Sequence, residues 1–362
     1  MRDNIYYWKC DRPATLHGVG RDESRASGLS LVPALRALLA GHFSGVTALQ
    51  PAGGKGNHHT YLLDCAEGRA FVRVEDGPER DGHLAMESRV MAEVAAVGVQ
   101  VPKVLFTDTT RVAVPFAVQV IEYFDCTDLN HLHRDGRLPL ERIAAEIGRG
   151  VARWQDVPVA GYGPFDAEAT AASGHLTGYH ATYAKYFHLQ LDRHLRLLVE
   201  ADFLTEDEAA GIRGTVEDCA ALLELETGCL VHKDLALWNI MGTDKEIRAF
   251  IDWDDAIAGD PVDDLSLLAC FHPLSVVQAA VRGYESVRPL PVDFQQRFWL
   301  HLLRNMIVKS VIRCSSGYFN QKPGGAFLMA PGQSGPAFRA FSREKLLTAY
   351  RGLSQMESLA QL

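Results

Sequence analysis

Three oxygen-bearing side chains lie close together in the second half of this 362-residue chain. Asp234 and Asn239 belong to the stretch VHKDLALWNIM, and Asp252 follows the run IRAFI. Apolar residues around them read as buried strands. If 229–231 with 238–242 pairs with 247–253 as a hairpin, all three side chains converge at one end. Carboxylate and amide oxygens are hard ligands suited to magnesium, which takes one or two from protein and leaves its other positions to phosphate oxygens and water. Asp252 and Asn239 are the expected ligands. Asp234 is then free to accept a proton from, or orient, an attacking hydroxyl.

Such a centre needs a platform. VTALQPA, HHTYLLDC and RAFVRVED alternate or run apolar, with GGKGN and AEGR between them, which predicts antiparallel strands joined by turns. HLAMESRVMAEVAAVG has one apolar helical face and ends at Gly98. VQVPKVLFTDTT and AVPFAVQVIEYF read as two further strands. The expected division is an N-terminal extension and helix over 1–43, with the helix read from Leu29, and an N-lobe over 44–124. A mainly helical C-lobe over 125–362 carries the small catalytic β-hairpin. Helical patterns run over 138–155, 178–200, 205–226, 262–288, 292–314 and 342–360. A Gly-, Pro- and Ser-rich loop over 315–337 reads as a lid or a disordered stretch. Tyr6, Tyr7 and Trp8 are costly to leave in water, so the extension is expected to pack on something, the N-lobe or a dimer partner.

These strings carry a resemblance. H-x-D-x-x-x-x-N is similar to the catalytic loop of protein kinases, and Asp252 stands where their DFG aspartate would. The longer string VHKDLALWNIM…IRAFIDWDDAIAGDPVDDLSLL resembles the aminoglycoside phosphotransferase and choline kinase superfamily, over residues 44–310. GYGPF, 161–165, looks like its hygromycin-type members. The resemblance implies an α+β, protein-kinase-like two-lobed fold, with a five-stranded antiparallel sheet and one main helix in the N-lobe. It implies a Mg2+-dependent phosphotransferase that moves the γ-phosphoryl of ATP or GTP to a hydroxyl of a small molecule. Asp234 would be the catalytic group, and Asn239 and Asp252 the metal ligands. Arg73 in FVRV matches the kinase strand lysine, and Glu87 its ion-pair partner; without the C-lobe motif both would read as surface charges. Gly53, Gly54, Gly56 and Asn57 make a turn whose backbone could approach phosphates, although alone it reads as a hairpin turn and is no Walker loop. Glu122, Tyr123 and Phe124 fall on the hinge, where backbone groups hold the adenine.

Around the motif, Lys233 replaces a glycine common in the superfamily. It is expected to pair with an acid or to reach a phosphate or an acceptor carboxylate. Asp260 and Asp264 are expected to brace the loop and cap the next helix. Asp255 and Asp263 are expected to be solvated or to face a cationic acceptor, and His232 to hold the loop by hydrogen bonds. His58 and His59 lack partners at metal-ligand spacing. His180, His188 and His194 are expected on a helix surface.

A formal net charge of −9 argues against nucleic-acid and anionic-membrane partners. Seven cysteines without a CxxC pair read as reduced thiols. No apolar run reaches the ~20 residues of a spanning helix, and the start is no signal peptide. The expectation is a cytoplasmic enzyme, monomer or homodimer, whose partners are a nucleoside triphosphate and a hydroxyl-bearing acceptor. An aminoglycoside or amino-sugar-like acceptor is favoured. The alternatives are a metabolic kinase of choline, homoserine, fructosamine or another sugar, and a catalytically silent nucleotide-binding protein. Joint retention of Asp234, Asn239 and Asp252 speaks against silence. The short span from Asp252 to Asp260 leaves no room for the activation loop of a protein kinase.

Overall fold

The computed structural model describes residues 2–11, 21–52, 58–77, 80–321 and 334–362, with backbone only over 21–27. A short helix, α1 (Trp8–Asp11), precedes α2 (Arg21–Ala40). The sequence signal for α2 starts only at Leu29, because the Asp, Ser and Gly before it are weak helix formers.

Alternation then builds one antiparallel sheet from β1 (Ala48–Pro51), β2 (His59–Cys65), β3 (Gly68–Glu75), β4 (Val104–Asp108) and β5 (Ala117–Glu122), in the order β1-β2-β3-β5-β4. Every second residue of its inner strands (Tyr61, Leu63, Val72, Val74, Val118 and Val120) packs with Leu35 and Leu39 of α2. The other face of β3 and β5 carries Arg73 and Gln119 towards α3 (His83–Ala96). This is the expected N-lobe architecture.

The C-lobe begins with β6 (Thr127–Asp128), α4 (Leu129–Arg134) and α5 (Leu140–Trp154). β7 (Val159–Ala160), β8 (Tyr162–Phe165), α6 (Ala167–Ser173) and β9 (Leu176–His180) follow. The pattern over 178–200 is therefore not one helix. After β9, α7 (Tyr183–Phe187) and α8 (Leu191–Glu200) are separated by a turn in which Gln190 has φ 57°. Next come α9 (Glu206–Asp218), β10 (Cys229–Val231), β11 (Ile240–Gly242), β12 (Ile247–Phe250) and β13 (Ile257–Gly259). The stretch 262–288 splits into α10 (Asp263–Ala269) and α11 (Leu274–Glu285) at Pro273, which has no N–H to continue a helix. α12 (Phe294–Ser315) and α13 (Gly335–Ser354) complete the lobe, α13 starting earlier than its apolar pattern because Ser334 caps it.

β10, β13, β8, β9 and β7 form a second sheet, and β12, β11 and β6 a third. The strands β7, β8 and β13 are too short to show a period in sequence. All seven cysteines are free thiols. No described helix is long and apolar enough to cross a membrane. Most of the 315–337 loop, 322–333, lies outside the described residues.

α5 and α11 cross at glycine. A Cβ on Gly148 would run into the carbonyl oxygen of Ala280, and one on Gly283 into that of Ala145. Neither backbone can move without parting the helices. Gly283→Ala is expected to destabilise the protein by ~2–3 kcal/mol, as overpacking does. Gly214→Ala in α9, where a Cβ meets nothing, is expected to stabilise by ~0.5–1 kcal/mol. Urea unfolding of the two variants measures both.

Candidate functional site

After β10 the chain enters a loop whose backbone ends on a buried acid. Asp264 Oδ2 accepts from His232 N at 2.8 Å and Trp154 Nε1 at 3.2 Å, and its Oδ1 accepts from Lys233 N at 3.0 Å. Burial pushes this carboxyl up to about 7, against the pull of those donors. His232 Nε2 donates to the Ile251 carbonyl at 3.0 Å, so Nδ1 is the acceptor for Asp234 N at 3.3 Å. The ring is a neutral brace. Lys233 has φ 69°, the left-handed region that glycine enters at least cost. Its ammonium goes to Asp263 Oδ2 (2.7 Å) and Asn305 Oδ1 (3.0 Å).

β11 and β12 form the hairpin, with Ile240 opposite Phe250, while β10 leaves to pair with β13. Asn239 Nδ2 donates to Asp234 O at 2.8 Å and Oδ2 at 3.0 Å, which leaves Asn239 Oδ1 for a cation. Asp252, φ 65°, stands beside them. Arg73 reaches this point from the other lobe. Its Nη1 donates to both oxygens of Glu87 and to Gln119 Oε1, and its Nη2 donates to Asp252 Oδ1 at 3.2 Å. The structure thus brings Asp234, Asn239, Asp252, Arg73 and Glu87 to one place.

Several expectations change. Asp255 and Asp263 are buried, not solvated. Asp263 pairs with Lys233 because its chain position points it at α12. Asp260 accepts from Val262 N and Arg297, but no side chain caps α10. His180 and His194 are buried, and only His188 of the three is exposed. Gly53, Gly54, Gly56 and Asn57 lie outside the described residues. Glu122 ends β5 with its N–H bonded to the Lys103 carbonyl, and its carboxylate accepts from Lys103 N. At the hinge, Arg69 lies over the Tyr123 ring, and Phe124 follows.

The groups the sequence did not reveal come from both ends of the chain. Lys309 on α12 donates to Asp234 Oδ1 at 2.6 Å and to the Tyr7 hydroxyl at 3.0 Å. The Tyr7 hydroxyl donates to Asp234 Oδ1 at 2.8 Å, and Lys9 Nζ to Asp234 Oδ2 at 2.6 Å. Burial alone would raise the Asp234 carboxyl, but the two ammonium groups hold it well below the usual carboxylate range. Asn305, Lys309 and Arg313 recur at helical spacing and are themselves buried along α12. That polar stripe was the available signal, since buried charges demand partners.

Residues 2–11 lie across the cleft as a strap. Tyr6 stacks on Tyr186 with centroids 4.8 Å apart, and Arg304 covers its other face at 3.6 Å. Trp8 stacks on His83 at 5.6 Å. Asp11 takes the backbone N–H groups of Tyr6 and Tyr7, and a bond from His194 Nε2 at 2.8 Å. Arg304, a donor only, faces Nδ1 of the same ring at 3.0 Å, which fixes the proton on Nε2. Burying Tyr6, Tyr7 and Trp8 stabilises the strap by roughly 5–9 kcal/mol at ~1.5–3 kcal/mol per large side chain. It is a built part of the cleft.

The donors suit a divalent cation. Glu87, Asp234, Asp252, Asp254 and Asp255 crowd against Arg73, Lys9 and Lys309. Burial first, and then its acid neighbours, push Asp255 up to about 7 despite Lys9. Hard oxygens on Asp252 and Asn239 match magnesium.

The family model described as "Phosphotransferase enzyme family" matches residues 47–292. No curated protein matches significantly. Among solved structures, a thermostable mutant of aminoglycoside phosphotransferase APH(4)-Ia, in ternary complex with ADP and hygromycin B, is similar at 17% identity and TM-score 0.59, over 87% of this chain and 97% of that one. A putative fructosamine-3-kinase from Haemophilus somnus 129PT is similar at 13% and 0.59, over 86% and 95%. Spectinomycin phosphotransferase, in complex with ADP and spectinomycin, is similar at 14% and 0.57, over 91% and 98%. At these identities the likeness shows a shared fold.

Asp264→Asn puts an amide N–H2 opposite a backbone N–H. It is expected to destabilise by ~2–3 kcal/mol, the loss of a charged acceptor plus an unpaired donor. Urea unfolding measures it; a change within ~0.5 kcal/mol, the range of surface substitutions, would show that the loop holds without this carboxylate.

Proposed function

We propose that this chain, which belongs to the phosphotransferase enzyme family, moves the γ-phosphoryl of ATP or GTP to a hydroxyl of a small amine-bearing acceptor, an aminoglycoside or amino-sugar-like molecule. The observation that carries this is the convergence of Asp234, Asn239 and Asp252 at the end of one hairpin, with Arg73 reaching Asp252 from the other lobe.

Asp234 orients the acceptor hydroxyl and receives its proton as the acceptor oxygen bonds to phosphorus. The bond from phosphorus to the β,γ-bridging oxygen breaks, and the nucleoside diphosphate leaves. Such chemistry depends on positioning and charge neutralisation. Asn239 fixes the Asp234 carboxylate by its amide donor. Arg73, held by Glu87, supplies fixed positive charge to the α- and β-phosphates. Asp252 and Asn239 would hold Mg2+, which neutralises phosphate charge when bound. Residues 44–124 hold the nucleotide and 125–362 the acceptor. The excess of buried acids supports a cationic acceptor, and hygromycin B and spectinomycin in the neighbours' complexes support the same class.

A coupled ADP-release assay tests this with ATP or GTP, Mg2+ and a panel of aminoglycosides, amino sugars, choline, homoserine and other sugars. Amine-bearing acceptors are expected to turn over. Asp234→Asn is expected to lose about 10²–10⁴-fold in kcat, the range for a general base, while still binding nucleotide. Full turnover in that variant would remove Asp234 from the mechanism. Turnover confined to uncharged alcohols would remove the amine.

A further inference from the structure

Lys9 lies before the residues matched by the family, 47–292, and the reaction scheme above does not use it. Its Nζ stands 2.6 Å from Asp234 Oδ2, 3.3 Å from Asp252 Oδ2 and 3.1 Å from Asp255 Oδ2. In that reading Asp234 takes the acceptor hydroxyl and Asp252 would hold the cation that neutralises the phosphates, so the gap between them is the path of the transferring group. We propose that Lys9 is a catalytic residue: its ammonium, delivered by the N-terminal strap, contacts the γ-phosphoryl during transfer. The inference rests on the reading of Asp234 and Asp252 given above.

The other described cations near the gap have partners of their own. Arg73 is tied to Glu87, Lys233 to Asp263 and Asn305, and Lys309 to Asp234 Oδ1 and Tyr7. Lys9 differs in that its partners, Asp234, Asp252 and Asp255, are all carboxylates of the candidate site, and its side chain is 23% exposed on a flexible stem. The ammonium can therefore shift to arriving phosphoryl oxygens while the strap stays in place. A strap that left the cleft at each turnover would have to expose Tyr6, Tyr7 and Trp8 and break the bond of Asp11 to His194.

Asp234 makes the shift useful. Its Oδ1 takes Tyr7 and Lys309, and its Oδ2 takes Lys9 and Asn239. All four lone-pair positions are filled. When Lys9 turns to the phosphoryl group, one position on Asp234 opens for the acceptor hydroxyl. Nucleotide loading thus readies the base. Lys9 stays protonated throughout and donates hydrogen bonds only. The hydroxyl proton goes to Asp234, and the nucleoside diphosphate carries away the bridging oxygen.

The test needs no acceptor. Calorimetry compares binding of ADP with Mg2+ alone and with aluminium fluoride, which stands in for the phosphoryl in flight, in wild type, Lys9→Met and Lys9→Arg. Wild type is expected to bind the fluoride complex more tightly than ADP. Lys9→Met is expected to keep its ADP affinity and lose about 10²-fold of the tightening, the scale for one preorganised donor. Lys9→Arg, which keeps the charge, is expected to regain part of it. Equal tightening in wild type and Lys9→Met overturns the role of Lys9 and leaves the reading of Asp234 standing. Tighter ADP binding in Lys9→Met with no loss of the tightening by fluoride overturns it too, and makes the strap a plug. No ADP binding by wild type overturns the site reading along with it.

Discussion

Two consecutive backbone N–H groups, those of His232 and Lys233, end on one buried carboxylate, and the geometry of the cleft depends on that. A loop between strands has no ladder to fix it. Asp264 replaces the ladder with its two oxygens as acceptors, and Trp154 adds a third donor. The left-handed turn at Lys233 then aims Asp234 into the cleft. His232 carries the constraint onward by bridging Asp234 N to the Ile251 carbonyl, next to Asp252. One carboxylate on α10 thereby sets the relative position of a candidate base and a candidate metal ligand.

The second constraint acts between lobes. Arg73 stands on β3, and its guanidinium is shared by Glu87 of α3, Gln119 of β5 and Asp252 of the C-lobe. Removing the buried Glu87 would leave the Arg73 charge largely uncompensated, which is far more costly than losing a surface pair. The arrangement explains why an arginine serves at this strand position. It has enough donors in one plane to meet a helix, a strand and the facing lobe at once.

The strap adds a third source of groups. Its aromatic residues are held by stacking and by the Asp11–His194–Arg304 chain, all remote from the catalytic loop in sequence. Tyr7 and Lys309 converge on one oxygen of Asp234, and Lys9 and Asn239 on the other. The carboxylate is therefore anionic, fully solvated by protein and oriented before any ligand arrives, as electrostatic preorganisation requires.

Much of this was legible in the residues alone. The alternation of VRV and VQV specified strands with one apolar face, because side chains alternate with a period of two, but not that Arg73 and Gln119 on the other face are buried as well. The spacing of Asp234, Asn239 and Asp252 specified chemistry, because short-range geometry on a hairpin follows from local chain length. Three things were not legible. β7, β8 and β13 are too short for a period to appear. The split of the 178–200 pattern into a strand and two helices is set by pairing with β8, a contact outside the window that propensity reads. The strap and Lys309 reach Asp234 from sequence separations of 225 and 75, and no local rule relates residues so far apart. The sequence by itself determined which oxygen-bearing groups would come together and which strands would carry them. Only the tertiary structure decided which distant lysines reach Asp234, because packing of α1 against α12 and the cleft, not chain proximity, sets those distances.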